Sequence, residues 1–321
     1  MRSRLTPTAI LVIKHGALGD FIQALPAIRA LRLKYPHAHL ALQTTPALER
    51  LARPCPWLDA VDPEGRPVKL RARLALARRV RRDFDLIVDL QNSERTAMMF
   101  YLATPAPAWS GVVLGASHAF FDSQRTRKHA SEALADQVVA VGADRGVALA
   151  PPDLRWAIPA DFSLARFGLD SGRFAVLAAM ASAGRDVKRW PGQRFAALAG
   201  TLANAGIIPV FVGAAAERAA IAAIADAVPG ARNLAGETDL ADLAGLCAHA
   251  RIAVGNDTGP MFIAAAAGAP CLVLYSRHSQ PPERCAPRGA GGVMTLKGGE
   301  MSDIAETAVA KMLQQMGVLS P

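Results

Sequence analysis

The sequence predicts an α/β protein with two mostly parallel sheets. Three observations carry that expectation. Short apolar runs rich in β-branched residues alternate with helical segments across short connections, the pattern of strands joined by crossover helices. The alternation fails once, between Pro151 and Gly172, where Pro151, Pro152, Pro159 and Gly168 interrupt any long period. The length, 321 residues, exceeds what one hydrophobic core usually holds. With 51% hydrophobic and only 6% aromatic residues, the core is mostly Ala, Leu, Val and Ile, as helix-on-sheet packing uses, and the composition is not that of a disordered chain.

In chain order, Ala9 to Ile13 reads as a buried strand and Lys14 to Gly19 as a glycine-bearing loop. Asp20 can cap the helix that follows, which carries Phe21, Leu25, Ile28 and Leu31 on one face and ends near Pro36. Pro26 should kink it or hold it in an early turn. The loop lacks the GxGxxG spacing, so a nicotinamide cofactor is not indicated, although its glycines let a ligand approach closely. His39 to Gln43 suggests a strand and Pro46 to Ala52 a short helix. Leu86 to Leu90 is a strand that opens onto Gln91-Asn92-Ser93-Glu94-Arg95. Open α/β sheets bind ligands at such ends, so Gln91, Asn92 and Arg95 are candidate contacts as well as ordinary loop residues. Trp109 to Leu114 is a further strand, and a helix runs from about Ser131 to Val141.

The second series has strands at Phe174 to Ala179 and Ile208 to Gly213, and helices at Gly192 to Ala205, Ala215 to Val228 and Leu240 to Ala250. It continues through Ile252 to Pro260, which reads as strand, tight turn and helix start, then a strand from Pro270 to Leu274 and a last helix from Asp303 to Met316. Gly255 and Gly259 permit backbone angles that side chains forbid, and Asp257 or Thr258 can cap the helix. Pro260 fits the first helical turn, leaving peptide N–H groups to meet an anion. By itself this stretch reads first as an ordinary capped helix, ahead of an anion site.

The formal net charge is +9 and unevenly placed. From Arg66 to Arg82 there are eight basic residues and no acid, with Leu70, Leu74, Ala77 and Val80 near helical spacing. This is an amphipathic helix whose outer face is either simply solvated or turned to anionic headgroups or a phosphorylated acceptor. Nucleic acid is disfavoured because no aromatic residues interleave with the arginines. Arg125 to His129 forms a second basic cluster. Four cysteines without CxxC or Cys/His metal spacing support neither a disulfide framework nor a zinc site, and a reducing cytosol fits best. The N-terminal apolar run is too short for a secretory signal, so no export is expected, and no stretch is long enough to span a membrane. His15 and His278 lie near loops without a motif partner and read as surface residues.

Four ordered matches then carry a family resemblance over nearly the whole chain: Gly19-Asp20 with Leu25-Pro26 and Leu31, Asp85 to Gln91, Lys188-Arg189-Trp190-Pro191, and Gly255 to Pro260 leading to Ala264-Ala265-Ala266. The sequence resembles glycosyltransferase family nine, the ADP-heptose:lipopolysaccharide heptosyltransferases. That resemblance implies a GT-B architecture of two Rossmann-like domains facing a central cleft. It places an acceptor-binding domain at 1–155 and a nucleotide-sugar-binding domain at 156–321, with the last helix, about 303–316, a candidate to pack back on the first domain. It further implies an inverting, metal-independent transfer of heptose from ADP-heptose to a lipopolysaccharide core acceptor, needing no cofactor and taking place at the cytoplasmic face of the inner membrane. The absence of a DxD motif agrees with metal independence.

By the same carry-over Asp20 is the general base, and a carboxylate within reach of a sugar hydroxyl is chemically suited to that role. Lys188 binds the donor diphosphate, Asp257, Thr258 and Gly259 meet the sugar and phosphates, Ser182 adds a hydroxyl, and Glu217 accepts bonds from the nucleoside. Gln91, Asn92 and Arg95 fall on the acceptor side. An anionic Asp257 would oppose a phosphate, so sugar hydroxyls are its expected partners. The sequence departs from the family at Phe262, where many members carry histidine, which leaves room for another nucleotide sugar or glycan acceptor. A catalytically silent sugar-nucleotide-binding protein is the reading from outside enzymology, and the presence of both Asp20 and Lys188 argues against it.

Overall fold

Both halves of the chain wind their strands in the same order. The computed structural model describes residues 6–121, 127–181 and 184–320. It divides into two units, Met1–Ala150 and Pro151–Pro321.

The first unit runs β1 (Ala9–Ile13), α1 (Leu18–Lys34), β2 (His39–Gln43), α2 (Pro46–Ala52), β3 (Ala60–Asp62), α3 (Leu70–Asp83), β4 (Leu86–Asp89), α4 (Glu94–Leu102), β5 (Ala108–Gly111), β6 (His118–Ala119), α5 (Ala130–Val139) and α6 (Arg145–Leu149). Its strands pair in the order β3-β2-β1-β4-β5-β6, all parallel. Ile10 to Ile13 are buried throughout, as expected of a central strand covered on both faces. Helix α1 holds Pro26 in its interior and buries Phe21, Leu25, Ile28 and Leu31, each worth about 1.5–3 kcal/mol, packing against α5 and α6. On the other face Leu76 and Val80 of α3 join Phe100, Trp109 and Ile87.

The second unit runs β7 (Phe174–Ala178), α7 (Gly192–Asn204), β8 (Ile208–Phe211), α8 (Arg218–Ala225), β9 (Arg232–Asn233), α9 (Leu240–His249), β10 (Ile252–Asn256), α10 (Gly259–Ala267), β11 (Cys271–Tyr275), α11 (Pro282–Cys285), β12 (Val293–Lys297) and α12 (Glu306–Gln315). The parallel order is β9-β8-β7-β10-β11-β12, the winding of the first unit repeated. Helix α12, a candidate to return to the first domain, buries Val309 and Leu313 in the second unit's own core beside Trp190, Phe195 and Leu198.

Several boundaries differ from expectation. The helix expected from Ala215 is a 3-10 turn, Ala215–Glu217, followed by α8, because Glu217 turns back to bond Ala214. Glu94 and Arg95, read as loop, open α4, whose start is fixed by the Ser93 and Thr96 capping box. No helix of the described residues is long and apolar enough to cross a membrane.

Candidate active site

Doubly wound sheets bind ligands beyond the carboxyl ends of their strands, where the strand order reverses. That point lies between β1 and β4 in the first unit and between β7 and β10 in the second.

In the first unit Asp20 is exposed in the first turn of α1. It is not the N-cap residue, which is Ala17. Its Oδ2 reaches back to accept the Ala17 N–H at 3.0 Å, while its other oxygen has no hydrogen bond among the described residues. The loop carrying it is pinned to the end of β4 by two bonds: the His15 N–H donates to Gln91 Oε1 at 2.9 Å, and Lys14 Nζ to the Leu90 carbonyl at 3.0 Å.

His15 is not a surface residue. Its imidazole is buried against Gly65, where any side chain would collide with the ring and with the Thr44 carbonyl. Burial first, then the charges of Arg66, Arg95 and Lys14, bring its pKa down to about 4 against an opposing bond to Gln43. Asp89, equally buried, accepts the N–H groups of Gln91 and Asn92 at 3.0 and 2.9 Å. Burial lifts its pKa to about 6, opposed by Thr96, these amides and Lys14.

Asn92 takes a left-handed backbone, φ 50°, and its amide is engaged inside the fold: Oδ1 accepts from Val112 N at 2.8 Å and Nδ2 donates to Gln137 at 2.8 Å. Arg95 is exposed and has no hydrogen bond or ion pair among the described residues. Together with His15, Arg66, Gln91, Ser93 and Glu94 it lines a cavity of about 430 Å³. Of the acceptor-side candidates, Gln91 and Arg95 therefore share a cavity with two residues that sequence reasoning did not assign, His15 and Arg66. Arg66 donates to the His15 carbonyl at 2.9 Å.

In the second unit Lys188 closes a 3-10 turn, Asp186–Lys188, and is nearly buried. Its ammonium donates to Asp257 Oδ2 at 2.7 Å. Two side chains expected to face different parts of a donor are thus an ion pair. Trp190 fixes the turn: its ring is fully buried, edge-on to Phe195 with centroids 4.9 Å apart, and its Nε1 donates to the Ile304 carbonyl at 2.8 Å. Asn256, which sequence reasoning quoted without a role, joins three segments. Its Oδ1 accepts from Trp190 N at 3.0 Å and its Nδ2 donates to the Ala179 carbonyl at 2.8 Å. The available signal was an amide ending an otherwise apolar strand.

Thr258 is the N-cap residue of α10, but its hydroxyl bonds the Asn256 carbonyl at 3.3 Å and makes no capping bond. The expected side-chain cap from Thr258 is absent, so this hydroxyl does not occupy the N–H groups of the turn. Gly259 is the first helical residue. Neither Gly255 nor Gly259 has a left-handed backbone. Gly255 is required instead for close packing, since a Cβ there would lie 2.7 Å from both the Ala178 Cβ and the Met261 sulfur. Glu217 follows β8 with Oε2 on the Ala214 N–H at 2.8 Å, and Phe262 is half-buried in the first turn of α10. Ser182 lies outside the described residues, as do Arg125 and Thr126 of the second basic cluster. Among the described residues no group of three His, Cys, Asp or Glu side chains is arranged to hold a metal ion.

Two doubly wound units with this winding are the fold of GT-B heptosyltransferase structures. Residues 73–302 match the profile of glycosyltransferase family 9 (heptosyltransferase), and the chain belongs to that family. It is 28% identical to lipopolysaccharide heptosyltransferase 2 of Salmonella typhimurium over 84% of this chain and 83% of that one. It is similar in fold to a family 9 glycosyl transferase from Veillonella parvula, with a TM-score of 0.83 and 20% identity over 96% of this chain and 97% of the other. An E. coli heptosyltransferase solved with ADP superposes with a TM-score of 0.76 and 20% identity over 96% and 99% of the two chains.

Proposed function

We propose that the chain is an inverting, metal-independent heptosyltransferase that moves heptose from ADP-heptose to a lipopolysaccharide core acceptor. What carries the reading is that the chain holds both an exposed Asp20 carboxylate at the switch point of the first unit and, at that of the second, Lys188 and the start of α10. Family membership and the lipopolysaccharide heptosyltransferase relative support the sugar and the acceptor, and the ADP of the E. coli neighbour supports the donor.

In this mechanism an acceptor hydroxyl attacks the anomeric carbon while Asp20 takes its proton; the bond to the β-phosphate oxygen breaks and ADP departs. Lys188, using donors not given to Asp257, meets the diphosphate together with the amides of Thr258 and Gly259, and so stabilises the charge of the leaving group. Asp257 holds the lysine in place as well as facing sugar hydroxyls. Glu217 serves the nucleoside. Gln91 and Arg95 face the acceptor, and Asn92 shapes their loop. The basic face of α3 keeps the enzyme at the anionic inner surface of the membrane.

The product distinguishes this reaction from its relatives. NMR of the glycoside should show the anomeric configuration opposite to the donor's, with the rate unchanged by EDTA. Retained configuration, or activity lost to EDTA and restored by magnesium, contradicts the mechanism. Phe262 favours a second donor test, since a phenyl ring cannot hydrogen-bond a phosphate as the family's histidine can: ADP-heptose should outcompete other nucleotide sugars, and a stronger competitor would reassign the donor.

A further inference from the structure

Helical spacing put Leu70 on the apolar face of α3, yet it is 64% exposed, and Val68 just before it is 81% exposed. Neither is isolated. On α4, Met98 and Tyr101 are 48% and 56% exposed, and Leu114, in the turn after β5, is 77% exposed. These residues form one surface. Helix α3 packs on α4, Arg73 one turn beyond Leu70 reaches the Met98 sulfur at 3.6 Å, and the Tyr101 hydroxyl donates to the Leu114 carbonyl at 3.4 Å. Beneath it Pro67, Leu76, Met99 and Leu102 line a cavity of about 200 Å³, with Arg73 and Arg95 also on its wall.

The charges around this ridge have one dominant sign. Arg66, Lys69, Arg71, Arg78 and Arg95 are exposed beside it, with Glu94 the acid at its edge. A solvated helix face has no need of the apolar ridge, and a nucleic-acid backbone offers nothing for Leu70 or Leu114 to contact. An anionic bilayer satisfies both features, phosphates meeting the arginines and the apolar headgroup boundary meeting the ridge. Tyr101, apolar in body and polar at its tip, suits that boundary.

We propose that the α3/α4 face docks on an anionic lipid surface with Leu70, Met98, Tyr101 and Leu114 inserted among the headgroups. This rests on the membrane-surface part of the function above and goes beyond it: charge alone holds a basic helix near a membrane and is screened by salt, whereas apolar insertion survives screening.

The test is co-sedimentation of the full chain with phosphatidylcholine vesicles and with vesicles containing phosphatidylglycerol, at low salt and at about 1 M NaCl, where the screening length is about 3 Å. The natural chain should bind anionic vesicles at low salt and keep part of that binding at high salt. Leu70→Glu/Leu114→Glu changes only exposed positions and should lose the salt-resistant part, a fall of at least roughly tenfold in partitioning. Arg71→Glu/Arg78→Glu should lose the salt-sensitive part. Binding that salt abolishes completely and that Leu70→Glu/Leu114→Glu leaves intact overturns the insertion while leaving attraction by charge. No binding of the natural chain to anionic vesicles overturns both. A concentration-dependent dimer in sedimentation velocity, lost in Leu70→Glu/Leu114→Glu without vesicle binding, assigns the face to a second copy and overturns the proposal.

Discussion

The ion pair between Lys188 and Asp257 changes what each residue is expected to do. A nearly buried ammonium beside a nearly buried carboxylate is held by its partner, and removing one leaves the other uncompensated. Lys188→Ala should weaken ADP binding by roughly 1–3 kcal/mol in calorimetry, the worth of a charge-assisted bond. The same variant should unfold more easily than Lys188→Ala/Asp257→Ala, in which the stranded carboxylate is gone. Unchanged ADP affinity would mean that Lys188 is misassigned. In the first unit two buried groups titrate with opposite consequences. His15, lowered to about 4, binds fewer protons folded than unfolded, so its contribution to stability is lost as pH falls from about 6.5 through 4. Asp89, raised to about 6, keeps a proton the unfolded chain has released, so its contribution falls as pH rises through that value. Thermal unfolding of His15→Gln should therefore lose less stability than the natural chain as pH drops from 6.5 to 4, by up to about 3 kcal/mol. Parallel pH profiles would contradict the burial argument. The burial of His15 was not legible in sequence, because it comes from packing against Gly65 and from Arg66, some fifty positions away along the chain.

At the level of elements, the inner strands and the helices with local start signals were legible and the shortest edge strands were not. Strands β1 and β2 and helix α2 have the bounds that their patterns suggest, since a buried central strand, or a helix opened by a proline in its first turn, is written locally. The edge strands β3, β6 and β9 are two or three residues long and carry no period of their own; their pairing depends on neighbours. The loops proposed for the donor were legible as candidates, but the clamp among them was not. Asn256 ties the end of β10 to the end of β7 and to the Trp190 turn, so the position of Lys188 depends on an amide three segments share. Asn256→Ala would leave the Trp190 N–H and the Ala179 carbonyl buried without partners, at a cost of about 2–4 kcal/mol in urea unfolding, with weaker ADP binding as the turn loosens. A loss under about 1 kcal/mol would show that Trp190 alone holds the turn. The amphipathic character of helix α3 is legible in the sequence but its register against α4 is not, and Leu70, at helical spacing with Leu74, Ala77 and Val80, is exposed while Ala77 and Val80 are buried.

At the level of the whole molecule, alternation of strand and helix across a single break at 151–172 sufficed for two parallel sheets, and the structure divides after Ala150. What periodicity could not give is that both units share one winding, because strand order is set by handed crossovers and not by local pattern. That shared winding brings the Asp20 and Gln91 segments to the switch point of the first unit and the Lys188 and Asp257 segments to that of the second. The central claim is that Asp20 removes the acceptor proton. The most direct measurement is ADP release from ADP-heptose with a heptose-deficient lipopolysaccharide acceptor, comparing the natural chain with Asp20→Ala. Acceptor-dependent release by the natural chain, reduced about 10²–10⁴-fold in the variant with ADP binding kept, is the predicted result. Full activity in Asp20→Ala, or no acceptor-dependent release by the natural chain, would contradict it.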